Sequence, residues 1–189
     1  METFEDRLNK IWGRMTSNEL LHNKGLGNEI GFFIFDYPPE EELHMREHIA
    51  FLMKRLQKER PDLRTEHIDL FTLMVEYLKE RNLLDKALKY EETKGPDGLM
   101  NALSKTLSAE RLAEAFVRKA EPDKKDLILV SGVGKVWPLL RSHVILNCLQ
   151  PLMGYTPLVI FYPGQYSGQD LKLFSILESK NYYRAFRLI

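Results

Sequence analysis

Phe4, Leu8, Ile11, Trp12 and Met15 recur at helical spacing, so the chain opens with an amphipathic helix that packs by one face. That helix is expected to end before the glycine loop NKGLGNE at residues 23–29. The helical period then disappears. Ile30 to Tyr37, IGFFIFDY, is apolar and aromatic nearly throughout, the pattern of a strand buried on both faces, and such strands belong in parallel sheets. PPEEEL starts a helix, with proline in the first turn and Glu40, Glu41 and Glu42 at the positive end of its dipole. Met45, Ile49, Leu52, Met53 and Leu56 form its core stripe.

Glu66 to Phe71 is a shorter strand and Leu73 to Ala87 a helix; ETKGPDG is a break, after which helical sequence runs to Ala120. Ser108 interrupts it, placed to cap a second helix that begins AERLAEAF. Beyond EPDKKD come a strand at Leu127–Val130, a helix at Pro138–Leu149 and the strand TPLVIFY. An aromatic and glycine loop, PGQYSGQD, a short helix near Leu171–Leu177 and a last strand near Tyr183–Leu188 complete the order. Buried strands alternating with helices predict an α/β fold: three layers, a mainly parallel sheet of about five strands flanked by helices, in one nucleotide-binding-like domain over residues 1–189.

Composition narrows the function classes. Lysine plus arginine number 27 and aspartate plus glutamate 27, so no overall charge draws the chain to nucleic acid or an anionic membrane. The basic runs MKRLQKERPDLR and VRKAEPDKK are interspersed with acids and are expected to be solvated helix ends, so direct nucleic-acid binding is not expected. The one cysteine, Cys148, has no disulfide partner within the chain and lies in an apolar helical pattern. The apolar runs fall short of spanning length and no signal-peptide pattern opens the chain, so a soluble, cytoplasmic protein is expected.

SGVGK invites comparison with a phosphate loop. A Walker loop requires glycine, four residues, then glycine, lysine and a hydroxyl residue that holds magnesium. Gly134 and Lys135 match the middle, but Leu129 stands at the first glycine and Val136 replaces the hydroxyl, so no functional Walker loop is present. Of the dinucleotide fingerprint only Gly132 and Gly134 match, with Trp137 at the third glycine. Two narrower readings remain. The glycines can simply make a tight strand-to-helix turn; alternatively, the loop and Lys135 hold an anion at a helix N-terminus. If the strands LILVS and LVIFY are neighbours, a crevice between them gathers Lys135, Trp137, Tyr162, Gln165 and Tyr166. On the following helix, His143 and Asn147 lie one turn apart, either as a histidine with an orienting amide or as satisfied groups under a neighbouring loop.

HMREH, His44 to His48, matches an inverted zinc-protease pattern, with Glu47 as the base. The core stripe of that helix places both histidines at its edge, and no helix context selects a third ligand. A solvated helix face is expected there, with no metal and no cofactor.

The C-terminal motifs carry a family resemblance. SGVG, the run Pro138 to His143 (PLLRSH), TPLVIFYPG with YSG after it, LKLF and NYYRAFRL (Asn181 to Leu188) closely resemble the end of the BrxB family, a small component of bacterial BREX (bacteriophage exclusion) defence systems. FIFDYPPEEEL resembles the family's first strand and helix start, whereas Leu63 to Pro122 carries no distinctive motif. Two positions depart from the pattern: Gln165 replaces a usual acidic residue, and Lys135 replaces a small polar one, which argues against a lysine-dependent phosphate function.

The resemblance implies membership in a set that includes a methyltransferase, a large ATPase and PglZ, a protein placed in the phosphatase superfamily. The family has no established catalytic activity. The implied role is therefore a non-enzymatic accessory or adaptor protein that binds another BREX protein, PglZ preferred, with a homodimer left open. The partner- or ligand-binding set is Gly132, Gly134, Lys135, Trp137, Arg141, His143, Tyr162, Gly164, Tyr166 and Arg184, with Trp137, Tyr162 and Tyr166 as exposed aromatic hot spots. The arginines and aromatics of NYYRAFRL serve either to lock the last strand or to contact the partner. The competing function is a divergent nucleotide or phosphoester enzyme that uses the Gly132–Lys135 loop with Arg141 and His143.

Overall fold

A computed structural model describes residues 2–22, 31–178 and 185–189. Helix α1 (Phe4–Met15) starts at a reciprocal cap: the Asp6 amide donates to the Thr3 hydroxyl, and the Thr3 amide donates to the Asp6 carboxylate. Its stripe buries Leu8, Ile11 and Met15, and a short α2 (Asn18–Leu21) follows. The glycine loop at 23–29 and Ile30 lie outside the described residues. Then come β1 (Phe32–Tyr37), α3 (Glu42–Glu59), β2 (Thr65–Asp69), α4 (Leu70–Glu80), α5 (Leu84–Thr106), α6 (Ala109–Ala120) and β3 (Leu127–Ser131). The chain continues through α7 (Ser142–Leu149), β4 (Leu158–Tyr166), β5 (Leu171–Leu173), β6 (Leu177–Glu178) and β7 (Phe186–Arg187).

The five main strands are parallel in the order β2-β3-β4-β1-β7, and an antiparallel extension adds β5 to β4 and β6 to β5. Strand alternation divides the apolar runs between two cores. Phe32, Ile34, Ile128, Val130, Leu158 and Ile160 face α4, α6 and α7, whereas Phe33, Phe35, Leu127, Leu129, Val159 and Phe161 face α1 and α3. Each such side chain contributes about 2 kcal/mol on leaving water, which is why these strands are apolar at every position. The three-layer α/β expectation is met.

Several boundaries differ from the sequence pattern, each for a local reason. Leu70 and Phe71 open α4 instead of closing β2, because the Asp69 carboxylate accepts from the Thr72 amide at 3.0 Å and caps the helix. That helix stops at Glu80, and the chain turns through Asn82 at φ 54° before α5. ETKGPDG is a kink within α5: Gly95 leaves helical geometry at φ 71°, ψ 177°, and helix resumes from Pro96. The Ser108 cap is present, accepting from the Arg111 amide.

Three expectations near the loops are corrected. Pro138–Arg141 are not helical; α7 starts only at Ser142, so the glycine loop does not end at a helix N-terminus. Pro163–Tyr166 continue β4 instead of forming a loop, because Gly164–Tyr166 pair with Leu171–Leu173. The short helix near Leu171–Leu177 is the hairpin of β5 and β6. Leu171 and Leu173 are buried at strand spacing, and Phe174 and Leu177 only imitate a helical interval. Among the described residues the last strand covers Phe186–Arg187; Tyr183 lies outside them.

Candidate functional site

After β1 the chain crosses to α3 on one face of the sheet, and after β3 it leads to α7 on the other. Because β1 and β3 flank β4, the chain leaves the carboxyl edge of the sheet toward opposite faces on either side of that strand, the usual place for a crevice and a site in such a sheet. The antiparallel β4–β5–β6 extension folds over it. Phe174 and Ser175, at φ 54° and 60°, turn β5 into β6, and the Phe174 ring meets Trp137 edge-on at 6.3 Å. Close packing excludes side chains at two motif glycines. A Cβ on Gly134 would lie 2.7 Å from Phe174 Cε1, and one on Gly164 would lie 2.2 Å from the Lys172 carbonyl oxygen.

At the β2/β3 end, Asp69 is the centre of a charged knot. Lys135 Nζ donates to Asp69 Oδ2 at 2.5 Å, and the Ser131 hydroxyl donates to the same oxygen at 3.3 Å. Burial would raise the Asp69 carboxyl, but the Lys135 ammonium and the Thr72 amide outweigh it and hold the group below its ordinary value. Gly132, at φ 73°, passes directly over this carboxylate, and a Cβ there would lie 2.7 Å from Asp69 Oδ2. His67 Nε2 is 2.9 Å from Ser131 Oγ. With the Ser131 proton directed at Asp69, the histidine nitrogen donates to the hydroxyl, the reverse of a nucleophile–base arrangement.

At the β1/β4 end, the buried Asp36 ties together four distant segments. Arg7 Nη2 donates to its Oδ1 at 2.7 Å, the Tyr166 amide donates to Oδ2 at 3.0 Å, and Arg187 Nη1 lies 3.6 Å from Oδ1. Arg187 also donates to the Tyr166 carbonyl. Arg7 lies over the Phe35 ring at 4.7 Å and the Phe186 ring packs 5.9 Å from Phe33, so the last strand is held by charge and by aromatic contact.

Among the described residues, three depressions lie around this antiparallel extension. One of about 620 Å³ is lined by Asp36, Arg7, Gln165 and Phe174, and one of about 210 Å³ by Lys135, Gly134, Arg46, Glu42 and Phe174. The third, about 410 Å³, gathers Trp137, Arg141, Ser142, His143 and Tyr162 against Leu171, Leu173, Ile176 and Leu177. Burial, with the Arg141 charge in support, holds His143 below its ordinary value. Burial pushes Tyr162 up to about 12, opposed by a hydrogen bond with Ser142.

Against known proteins, the sequence profile described as BREX protein BrxB matches residues 66–188. A relative of that description from Escherichia coli O9:H4 (strain HS) is 39% identical over 185 residues, covering 98% of this chain and 91% of its own. Another, from Bacillus cereus (strain H3081.97), is 40% identical over 193 residues, covering 100% of this chain and 99% of its own. The chain belongs to the BrxB family. No solved structure matches it.

The motifs that resemble BrxB map onto this edge with mixed roles. Trp137, Arg141, His143 and Tyr162 line one depression, as a crevice requires, but Lys135 and Gln165 line the other two. Tyr162 and Tyr166 are not exposed hot spots: each is 1% exposed, and the Tyr166 hydroxyl donates to the Ala185 carbonyl at 2.7 Å. Trp137 is 44% exposed. Gly132, Gly134 and Gly164 serve close packing, while Arg184 lies outside the described residues. Asn147 is exposed beside a buried His143, so the pair does not share one environment. His44 and Glu47 face solvent, and among the described residues no group of three or more potential ligands could hold a metal.

The BrxB sequence pattern also left signals unused. Asp36, a charge closing an otherwise apolar strand, and Asp69, at a helix-cap position, were visible one by one. Their partners lie far along the chain and were not. Arg55, Arg60, Arg64, Lys119 and Lys125 of the basic runs each face a carboxylate, as solvated helix ends should. Among the described residues no helix is long and apolar enough to cross a membrane.

Proposed function

We propose that this chain is a non-enzymatic accessory protein of a BREX anti-phage defence system that works by docking on another BREX component, with PglZ the preferred partner. The role in BREX follows from family membership. The observation that carries the docking is Trp137: a large aromatic ring, fixed edge-on to Phe174, stands 44% exposed at the rim of the 410 Å³ depression. Rigid, half-exposed aromatic residues are the usual anchors of protein interfaces. The enzymatic alternative needed Lys135 to act with Arg141 and His143. Lys135 instead pairs with Asp69 and lines a different depression, so the geometry favours docking over phosphoryl chemistry.

The test is co-purification of the tagged protein with each other BREX component, at moderate and high salt. A stoichiometric complex with PglZ that survives high salt and is lost in Trp137→Ala is the expected result. A wild-type protein that retains no BREX component under either condition overturns the proposal.

A further inference from the structure

The Trp137 depression combines apolar lining with a single cationic side chain, Arg141. Leu171, Leu173, Ile176, Leu177 and the Trp137 ring supply apolar lining, and Arg141, Ser142 and His143 supply the polar groups. No carboxylate whose side chain is described lines it, whereas the neighbouring depressions carry Asp36 and Glu40 in one and Glu42 in the other. Among the described residues no carboxylate pairs with the exposed Arg141, although Arg7, Lys135 and Arg187 at the same sheet edge all meet an aspartate. An exposed guanidinium beside apolar lining, with no acid among the side chains described there, is complementary to a carboxylate attached to an apolar body.

We propose that this depression is a socket for a protein segment in which a large apolar side chain neighbours an aspartate or glutamate. The apolar group seats between Trp137 and Leu173, Ile176 and Leu177, and the carboxylate meets Arg141. A volume of about 410 Å³ accommodates one large side chain with its neighbour. A polypeptide is favoured over a free small anion because the rim itself is apolar and projects outward: Trp137 is 44% and Ile176 76% exposed. Such a rim is covered by a chain that continues past the pocket. The socket rests on the accessory role proposed above and specifies the chemistry of the partner that role requires.

Overlapping peptides tiled across the other BREX proteins, presented to the purified full-length protein, test this directly. The expected binders contain an apolar residue next to an acid. Replacing that acid by lysine abolishes binding to the wild type and restores it to Arg141→Glu, while Arg141→Glu binds the original peptides at least about tenfold more weakly, the scale of one charge-assisted contact. Because Arg141 is exposed and its side chain caps nothing, this variant keeps the wild-type fold, which its circular dichroism melt verifies. Binders without acids, no binder at all, or equal binding by N-acetyltryptophan and N-acetylglutamate alone each overturn the socket. Capture of an intact BREX component that Arg141→Glu leaves unweakened also overturns it, yet leaves the accessory role standing. Capture of no component by the wild type counts against that role itself.

Discussion

Two kinds of charge occupy one edge of this sheet. Asp36 and Asp69 are enclosed by cations of the same chain: Arg7 and Arg187 for the first, Lys135 for the second. Arg141, a short distance along the sequence from Lys135, is exposed in a depression with no acid among the side chains described as lining it. The contrast separates scaffold from surface. A lysine behind a glycine loop suggests phosphate chemistry, but its charge is satisfied internally, and the group left facing outward is an arginine that no nucleotide motif predicts. Substitutions in the knots should therefore alter stability, and substitutions at the depression should alter binding with the fold intact.

The largest effect is expected at Asp36. Its side chain is 10% exposed and that of Arg7 20%, so Asp36→Ala leaves a mostly buried guanidinium without its partner and the Tyr166 amide without an acceptor. Unpartnered buried charges cost about 3–5 kcal/mol, and the half-exposed Arg187 can turn to water, which puts the loss at about 3 kcal/mol. Urea unfolding followed by circular dichroism measures it. A change below about 1 kcal/mol would remove Asp36 from the scaffold, since a surface pair is worth no more than that.

These knots explain how far the sequence could be followed. β1, β3 and the first half of β4 were legible because strands covered on both faces are apolar at nearly every position, independent of distant partners. The hairpin was not. Pro163 and Gly164 suggest a loop, but Pro163 sits where β4 meets β1, and Gly164 lies against the Lys172 carbonyl of its own hairpin. The site was half legible for a similar reason. Trp137, Arg141 and His143 are close in sequence and share a depression, whereas Lys135 and Asp69 are 66 residues apart and Asp36 and Tyr166 130 apart. Periodicity carries no information about such pairings, and they decide which charges remain available.

An intermediate effect is expected at Asp69, which combines a helix cap with an ion pair. Asp69→Ala removes the acceptor for the Thr72 amide and the partner of Lys135, whose side chain is 29% exposed and can reach water. The loss is about 1–2 kcal/mol at neutral pH, most of it from the cap. Because the carboxyl is held below its ordinary value in the folded protein, its contribution is full above the unfolded value of about 3.9. It is lost as pH falls through the folded value. The difference between wild type and Asp69→Ala should accordingly narrow on acidification. A gap that widens would mean that Lys135 does not stabilise the ionised aspartate.

Arg141→Glu should change stability least. The side chain is exposed, makes no cap, and pairs with no acid among the described residues, so no native contact of known value is lost. The new carboxylate would stand beside the first turn of α7, where the helix dipole favours negative charge by a few tenths of a kcal/mol. It would also remove the positive neighbour that helps to hold His143 below its ordinary value, so the histidine pKa should rise, a shift that nuclear magnetic resonance titration of its ring protons would follow. Unfolding free energy within about 0.5 kcal/mol of wild type, together with that rise, would place Arg141 at the depression without a structural duty. A loss of stability comparable to Asp69→Ala would instead make Arg141 part of the scaffold and erase the distinction between enclosed and available charge.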